Sequence, residues 1–364
     1  MKKYIFTDVV ELAGESCKPF EGDKLYVSTG SLDVDKLNNS SIEIVNYEER
    51  PSRANLIVKN GDVIFAKMQG TKKTLFIDKN RSNHIYSTGF CAVSPKTELI
   101  TQKCLYYLLT SDAFLKQKDK YCSGATQKAI SNENLKKIEI KVPYIDYQSR
   151  ITRKLDLIIS IIKKRKKEIE ELDNLIKSQF IELFEEKGYN EVPINSILET
   201  SFWLMPATPK YLIDGEIPYI TSKNIKNRKI NFDDVKLISK KDYYRISYNR
   251  PIMKGDILIS MIGTLGQIAI VGDNRKFYGQ NIYLLRLNKK IIDETYFCEF
   301  FDSDKIQHKL QEKSHKSTQA YLKANHVEDL TIILPPISNQ KSFKKFVQKV
   351  DKSKFFNKSF IKCN

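Results

Sequence analysis

Residues 61–71 read GDVIFAKMQGT, and residues 255–264 read GDILISMIGT. In each, a Gly-Asp pair opens an apolar run that closes on Gly-Thr, at Gly70-Thr71 and at Gly263-Thr264. The pattern predicts a short buried strand between two turns: the apolar run has strand length, and glycine supplies backbone angles that other residues resist. Further along the chain the two copies stay in step. Thr126-Gln127 and Thr318-Gln319 are 192 positions apart, as are Ser111-Asp112 and Ser303-Asp304, Pro143 and Pro335, and Gln148 and Gln340. Upstream, Tyr26-Val27 is matched by Tyr219-Ile220 at an offset of 193. This period far exceeds the ~20–50 residues of solenoid repeats, so each copy reads as a whole domain.

Both copies follow one grammar. In the first, Leu25–Val27, Ala54–Val58, Asp62–Ala66, Leu75–Ile77 and Phe90–Val93 are short apolar or alternating runs split by Gly, Asn and Asp, which predicts strands and tight turns. A helix is predicted from Gln102 to Gln117, with Leu105, Leu108, Leu109 and Phe114 on one face. A Ser-Gly-Ala-Thr-Gln turn at 123–127, a short helix and a strand over Ile138–Val142 follow, ending at Pro143. The second copy predicts strands near Pro218–Thr221, Ile257–Met261, Gln267–Val271 and Ile282–Leu287. A helix over about Glu294–Glu312 and a strand at Leu330–Leu334 complete it, before Pro335-Pro336.

Between the copies, Tyr147 to Glu186 contains no Gly or Pro. Ile151, Leu155, Ile158, Ile162, Ile169, Leu172, Ile176 and Leu183 fall on a heptad register, with Arg165 and Gln179 at two seam positions. At ~1.5 Å per residue the helix would be roughly 55–60 Å long. Phe343, Val347 and Val350 repeat the spacing after Gln340, followed by Phe355, Phe356, Phe360 and Ile361, so an antiparallel helix pair is the economical way to bury the seam. The C-terminal helix, about 24 residues from Ser338, is the shorter one. The predicted boundaries are 1–145 and 188–337 for the domains, with 146–187 and 338–364 for the helices.

Composition narrows the partners. The net charge is +17, and no apolar stretch is long enough to cross a membrane, so a cytoplasmic location is expected. The central segment 146–186 is neutral, with nine basic and nine acidic residues. Residues 1–145 carry 22 basic against 17 acidic, and 187–364 carry 30 against 18. The excess positive charge therefore lies in the repeated segments and the tail, which suits a polyanion, although a lysine-rich proteome would give the same bias. Six cysteines without a C-x-x-C pair, and four scattered histidines, suggest no metal site.

The doubled order is a GD-apolar strand, a Gly-Thr turn, a Thr-Gln turn and an apolar strand ending in proline, then Gln and a long heptad helix. Over essentially the whole chain it resembles the specificity (S) subunit of type I restriction–modification systems. The resemblance implies an α/β (α+β) fold class, with two repeated mixed α/β target recognition domains joined by two long antiparallel coiled-coil helices in pseudo-twofold arrangement. It also implies that each domain reads one half of a bipartite double-stranded DNA sequence, that two methyltransferase subunits dock on the chain, and that two restriction (motor–nuclease) subunits join the complex. S-adenosylmethionine, ATP and Mg would then belong to those partners, and the chain itself would bind no cofactor and do no chemistry.

Sequence shared by the copies should build frame and docking surface, and divergent sequence should read bases. The copies diverge most at 31–60 against 224–254, and at 72–88 against 265–281. Candidate DNA contacts on the shared turns are Thr71, Lys72 and Lys73, Thr264, Gln127 and Lys128, and Gln319 with Lys316 nearby. Glycine there lets backbone amides approach phosphate while Thr, Lys and Gln add donors; a plain turn, or Thr126 capping the next helix, accounts for the same residues. Candidates on the divergent loops are Arg53, Asn55, Arg81 and Asn83, then Asn224, Lys226, Arg228, Arg275 and Gln280. Phe202-Trp203 has no counterpart at the start of the first copy and reads as a core or interface anchor, and the KKRKK run at 163–167 as a solvated helix face. An adenine methyltransferase would need Asn/Asp-Pro-Pro-aromatic, whereas the sole Pro-Pro follows Leu334. The alternative is a tandem-domain DNA-binding regulator or antirestriction-type interaction protein without enzyme partners.

Overall fold

The computed structural model describes residues 1–263, 265–314 and 321–363, in two compact units, Met1–Ile161 and Ile162–Asn364. In the first unit a four-stranded antiparallel sheet runs in the order Thr74–Phe76, Val63–Ala66, Phe90–Pro95, Val10–Ala13. In the second, Ile268–Ile270, Ile257–Ser260, Ile282–Leu287 and Leu198–Leu204 take the same order and directions. Each unit has a second sheet built around one parallel pair. Tyr26 lies opposite Ile85 in the first, and Tyr219 opposite Tyr278 in the second.

The repeated apolar run follows from its place between layers. Val63 and Phe65 face a core shared with helices, while Ile64 and Ala66 face the core of the second sheet. Ile257 and Ile259 are likewise divided from Leu258. A strand covered on both faces has no solvent side on which to place polar residues, so the sequence does not alternate. The Gly-Asp that precedes it is a fastener. Gly61 and Gly255 sit at φ +105° and +89°, where a side chain is strained. The buried Asp62 carboxylate accepts from the Lys59 amide at 2.8 Å and from the Ser94 hydroxyl. Asp256 accepts from the Met253 amide at 2.7 Å and takes Arg286 in two bonds of 2.8 Å.

The copies part company in the segments flagged as divergent. The first unit adds Glu15–Ser16 and Ala54–Ile57 to make its second sheet five-stranded. The second unit has instead a three-stranded sheet and a helix, Lys240–Ser247.

The helix predicted over Gln102–Gln117 is two helices, Gln102–Thr110 and Asp112–Lys120. Ser111 adopts an extended conformation (φ −70°, ψ 144°) and its Oγ accepts from the Phe114 amide at 3.3 Å, ending one helix and capping the next. The second copy breaks at the equivalent place, into Glu294–Phe301 and Asp304–Ser314. Continuous apolar periodicity masks the break; the repeated Ser-Asp is its signal.

The central helix spans Ile145–Phe184 and the C-terminal helix Ile337–Cys363. Each is tied to its own unit by the repeated glutamine. Gln148 is fully buried; its carbonyl accepts from the Thr101 amide at 2.7 Å, and its amide donates to the Leu99 and Pro143 carbonyls at 2.8 and 2.9 Å. Gln340 makes the same three bonds, to the Asp293 amide and the Ile291 and Pro335 carbonyls, at 2.8, 3.0 and 2.8 Å. Lys344 adds ion pairs to Asp293 and Glu294 at 3.0 and 2.7 Å.

Within the second unit the two helices run antiparallel. Phe343 meets Phe180 and Phe184 at centroid distances of 5.7 and 5.4 Å, Lys354 pairs with Asp173 at 2.9 Å, and Arg165 donates to Asn357 at 3.1 Å. Ile176, Phe343, Val347 and Val350 are buried there as expected, and Ile151, Leu155, Ile162, Ile169 and Leu172 are half-buried. The seam drifts, however. Ile158 and Leu183 are 39% and 36% exposed, and Phe180 and Phe184 take the buried positions. A helix of 3.6 residues per turn slips out of a 3.5-residue repeat, and here the slip brings aromatic side chains onto Tyr296. Phe355 and Phe356 point outward, at 71% and 78% exposure.

Replacing Gln148 or Gln340 by Leu strips partners from three buried backbone groups, each worth about 1 kcal/mol or more. We expect the affected unit to lose ~2–4 kcal/mol in urea denaturation, with faster hydrogen exchange at Thr101 in the first case and Asp293 in the second. Burial alone would raise the Glu294 carboxyl pKa, but Lys344 outweighs it and holds the group below its ordinary 4.5. That stabilisation is present above 4.5 and is lost as pH falls through the lower folded value. Lys344→Met should therefore flatten the acid limb of the second unit's stability–pH curve.

Candidate nucleic-acid interface

The Gly-Thr and Thr-Gln turns, far apart in sequence, lie side by side in the first unit. The Gln69 amide donates to the Lys128 carbonyl at 2.9 Å, Met68 bridges Ala129, and the Gly70 amide donates to Asp119 at 3.0 Å. Gly70 sits at φ +74°, and Gly124, at φ +134°, would bring a Cβ within 2.5 Å of the Gln127 carbonyl. Beneath them lies a fully buried lysine. Lys118 donates to the Met68 and Thr71 carbonyls at 2.7 and 3.2 Å and pairs with Asp119 at 2.9 Å. Its counterpart at the 192-residue offset, Leu310, is buried without a charge. In the second unit Ile262 bridges Tyr321, and the Leu322 amide donates to the Met261 carbonyl at 2.9 Å. Thr264, Lys316 and Gln319 lie outside the described residues.

Several shared-turn candidates are committed to the frame. The Thr71 hydroxyl donates to the Met68 carbonyl, and Lys73 donates to the Thr29 carbonyl at 2.7 Å. Lys72 pairs with Asp112 at 3.2 Å, both side chains well exposed, a contact worth little in water. The side chains of Gln127 and Lys128 are exposed. The short helix after this turn, Asn132–Leu135, is capped by Ser131 rather than Thr126.

The divergent-loop candidates divide the same way. Asn55 accepts from the Cys17 amide at 3.2 Å. Arg81 donates to the Phe76 carbonyl at 2.9 Å. Asn224, 8% exposed, accepts from the Thr221 amide and donates to the Asn231 and Asp234 carbonyls at 3.1 and 3.2 Å, which uses its whole side chain. Gln280 accepts from the Tyr219 hydroxyl at 3.4 Å. Arg53, Asn83 and Lys226 are exposed, and Arg275 lies 4.6 Å over the Phe232 ring.

Arg228 is an internal latch. It stands with Asn227 at the tip of a hairpin (Ile225–Lys226 with Lys229–Ile230), both at positive φ, +59° and +52°. Its guanidinium takes Glu299 in two bonds and Asp302 in a third. Burial by itself would lower the Arg228 pKa; these two carboxylates outweigh it and hold the group charged. Three donors spent on internal carboxylates leave little for a base edge.

Sequence reasoning missed the helix Lys240–Ser247. Its signal was present in KKDYYRISYNR (240–250), where basic and aromatic residues interleave inside a divergent segment. Among the described residues no group of three His, Cys, Asp or Glu side chains is placed to hold a metal ion, and no helix is long and apolar enough to cross a membrane.

The family described as type I restriction modification DNA specificity domain matches residues 6–171 and again 186–359. The chain belongs to that family. Among its relatives, a putative type I restriction enzyme MjaX specificity subunit from Methanocaldococcus jannaschii is 24% identical over 349 residues, covering 89% of this chain and 78% of that protein. The type I restriction enzyme HindI specificity subunit from Haemophilus influenzae is 27% identical over 140 residues, 37% of this chain but 29% of that one. The fold is shared with a chain from a structure titled for complex assembly and conformational transition of the type I R-M system (TM-score 0.63, 18% identity, 99% of this chain and 93% of that one). It is also shared with the type I restriction-modification S subunit from M. genitalium (TM-score 0.55, 15% identity, 100% and 92%). Two specificity domains in tandem account for the doubled topology: the two matched stretches are the two copies, each with its following helix.

For this specificity-domain chain, frame and surface residues are separable by stability. Arg228→Ala leaves Glu299 buried and unpaired and should cost ~2–4 kcal/mol, discounted because the guanidinium is one-third exposed. Lys226→Ala, two positions away and exposed, should stay within ~0.5 kcal/mol. Urea denaturation of the two variants reads the difference.

Proposed function

We propose that the chain reads a bipartite double-stranded DNA sequence, one half-site per domain, and docks two methyltransferase subunits and two motor–nuclease subunits that carry out the chemistry. One observation carries this reading. The same glutamine-fastened four-stranded sheet is built twice, in equal strand order, while the segments 31–60 and 224–254 differ in kind. Matching central sheets with different loops suit two different half-sites. In this reading the helix Ile145–Phe184 serves as the spacer between the two domains.

In this reading the chain contributes no reacting group, and S-adenosylmethionine, ATP and Mg are bound by the partner subunits. Its share of catalysis is placement of the target adenines, which acts through proximity. The surplus of positive charge, +17 overall, favours phosphate contact and makes affinity fall steeply with salt. A cytoplasmic location follows from the need to reach genomic DNA.

Deletion of the gene from a strain that expresses the partners should abolish adenine methylation at one split motif, read by long-read sequencing of the genome. Restoring the gene should restore that motif alone. Unchanged methylation after deletion would favour a DNA-binding regulator or an antirestriction-type interaction protein.

A further inference from the structure

The helix Lys240–Ser247 is held firmly and presents an unusual outer face. Ser239 caps it, accepting from the Asp242 amide at 3.0 Å. Tyr243 and Ile246 pack on the core of the second sheet and Ser247 is buried, so the opposite stripe, Lys240, Lys241, Tyr244, Arg245 and Tyr248, faces solvent. Tyr244 is 55% exposed and Tyr248 84%. Two aromatic rings left in water beside lysine and arginine are more than a solvated charged face requires.

The surroundings extend the same chemistry. Residues 240–250 carry four basic side chains and one carboxylate, Asp242. Lys276, from the other divergent segment, donates to the Tyr244 hydroxyl at 2.8 Å and lies 5.1 Å from its ring. Arg250 donates to the Trp203 carbonyl at 3.3 Å and stands 5.8 Å from the Phe202 ring, which draws in the Phe202-Trp203 pair that the first copy lacks. Lys240 and Arg245 have acidic neighbours, Glu216 at 2.6 Å and Asp242 at 2.8 Å, but these pairs are largely exposed and exchange readily for phosphate. At the corresponding place the first copy has a turn bearing Glu48 and Glu49, and its Arg50 is spent on the Tyr47 ring at 3.8 Å and on the Tyr47 and Ala54 carbonyls.

We propose that this helix face is the base-reading element of the second domain. It enters the major groove of duplex DNA at the second half-site, with Arg245 and Tyr248 toward the bases and Lys241, Arg250 and Lys276 toward phosphates. An α-helix is ~10–12 Å across with its side chains, which fits a groove ~12 Å wide, and a helix fixed by packing presents side chains more accurately than a loop. The inference rests on the reading of the chain as a DNA-specificity subunit and adds which surface carries the specificity.

The test is the full chain expressed with its methyltransferase partner, as wild type and as K241A/R245A/Y248A. Genome-wide methylation is read by long-read sequencing, assembly by co-purification and folding by thermal denaturation. The variant should fold and assemble as the wild type does. Its methylation should fall at least ~10-fold, or one half of the split motif should lose specification of a base while the other half is unchanged. An unaltered motif methylated to the same extent overturns the inference alone, and so does loss of the methyltransferase from the variant, which would make the face a protein contact. A wild-type complex that methylates no split motif overturns the reading of the whole chain, and this inference with it.

Discussion

A buried glutamine side chain, used twice, is the contact on which the architecture depends. Gln148 and Gln340 each satisfy one backbone amide and two carbonyls where a long helix leaves its domain. Those groups lie at a junction where neither sheet nor helix supplies partners, and leaving them unpaired away from water is costly. A primary amide offers an acceptor and two donors in one plane, so it closes the junction with one residue. Glu would lack the donors, and a shorter Asn would not reach.

From that junction the remaining features divide into frame and reader. The frame is common to both copies: strands buried on two faces, Asp62 and Asp256 as fasteners, and Ser111 as a helix cap with Ser303 at the equivalent break. Its details change while its role persists. Lys118 under the first Gly-Thr turn becomes Leu310 in the second copy, and Ser94 beside Asp62 becomes Arg286 beside Asp256. In the proposed reading, the reader is whatever the frame leaves exposed and unlike between copies, chiefly the helix Lys240–Ser247 and the loops around it.

Much of this was legible in the sequence. The offset of 192 located the equivalent residues, the unbroken apolar runs located the central strands, and the heptad pattern located the helices. Periodicity alone could not show that the Gln102–Gln117 segment breaks at Ser111, because the apolar face continues across the cap. The seam was misjudged near its end, where Phe180 and Phe184 displace Leu183 by the slip between 3.5 and 3.6 residues per turn. The site was less legible. Asn224 and Arg228 are the residue types that read bases, yet tertiary partners that no local pattern reveals, Asn231, Glu299 and Asp302, consume their hydrogen bonds.

The central claim is that the glutamine clasp makes each domain and the start of its helix one body. Its most direct test is the distance distribution between spin labels at Glu48, in the first domain, and Lys154, on the helix, both exposed. The clasp predicts a single narrow distribution in the intact chain and a clearly broadened one in Gln148→Leu. Equal widths in the two proteins would contradict it.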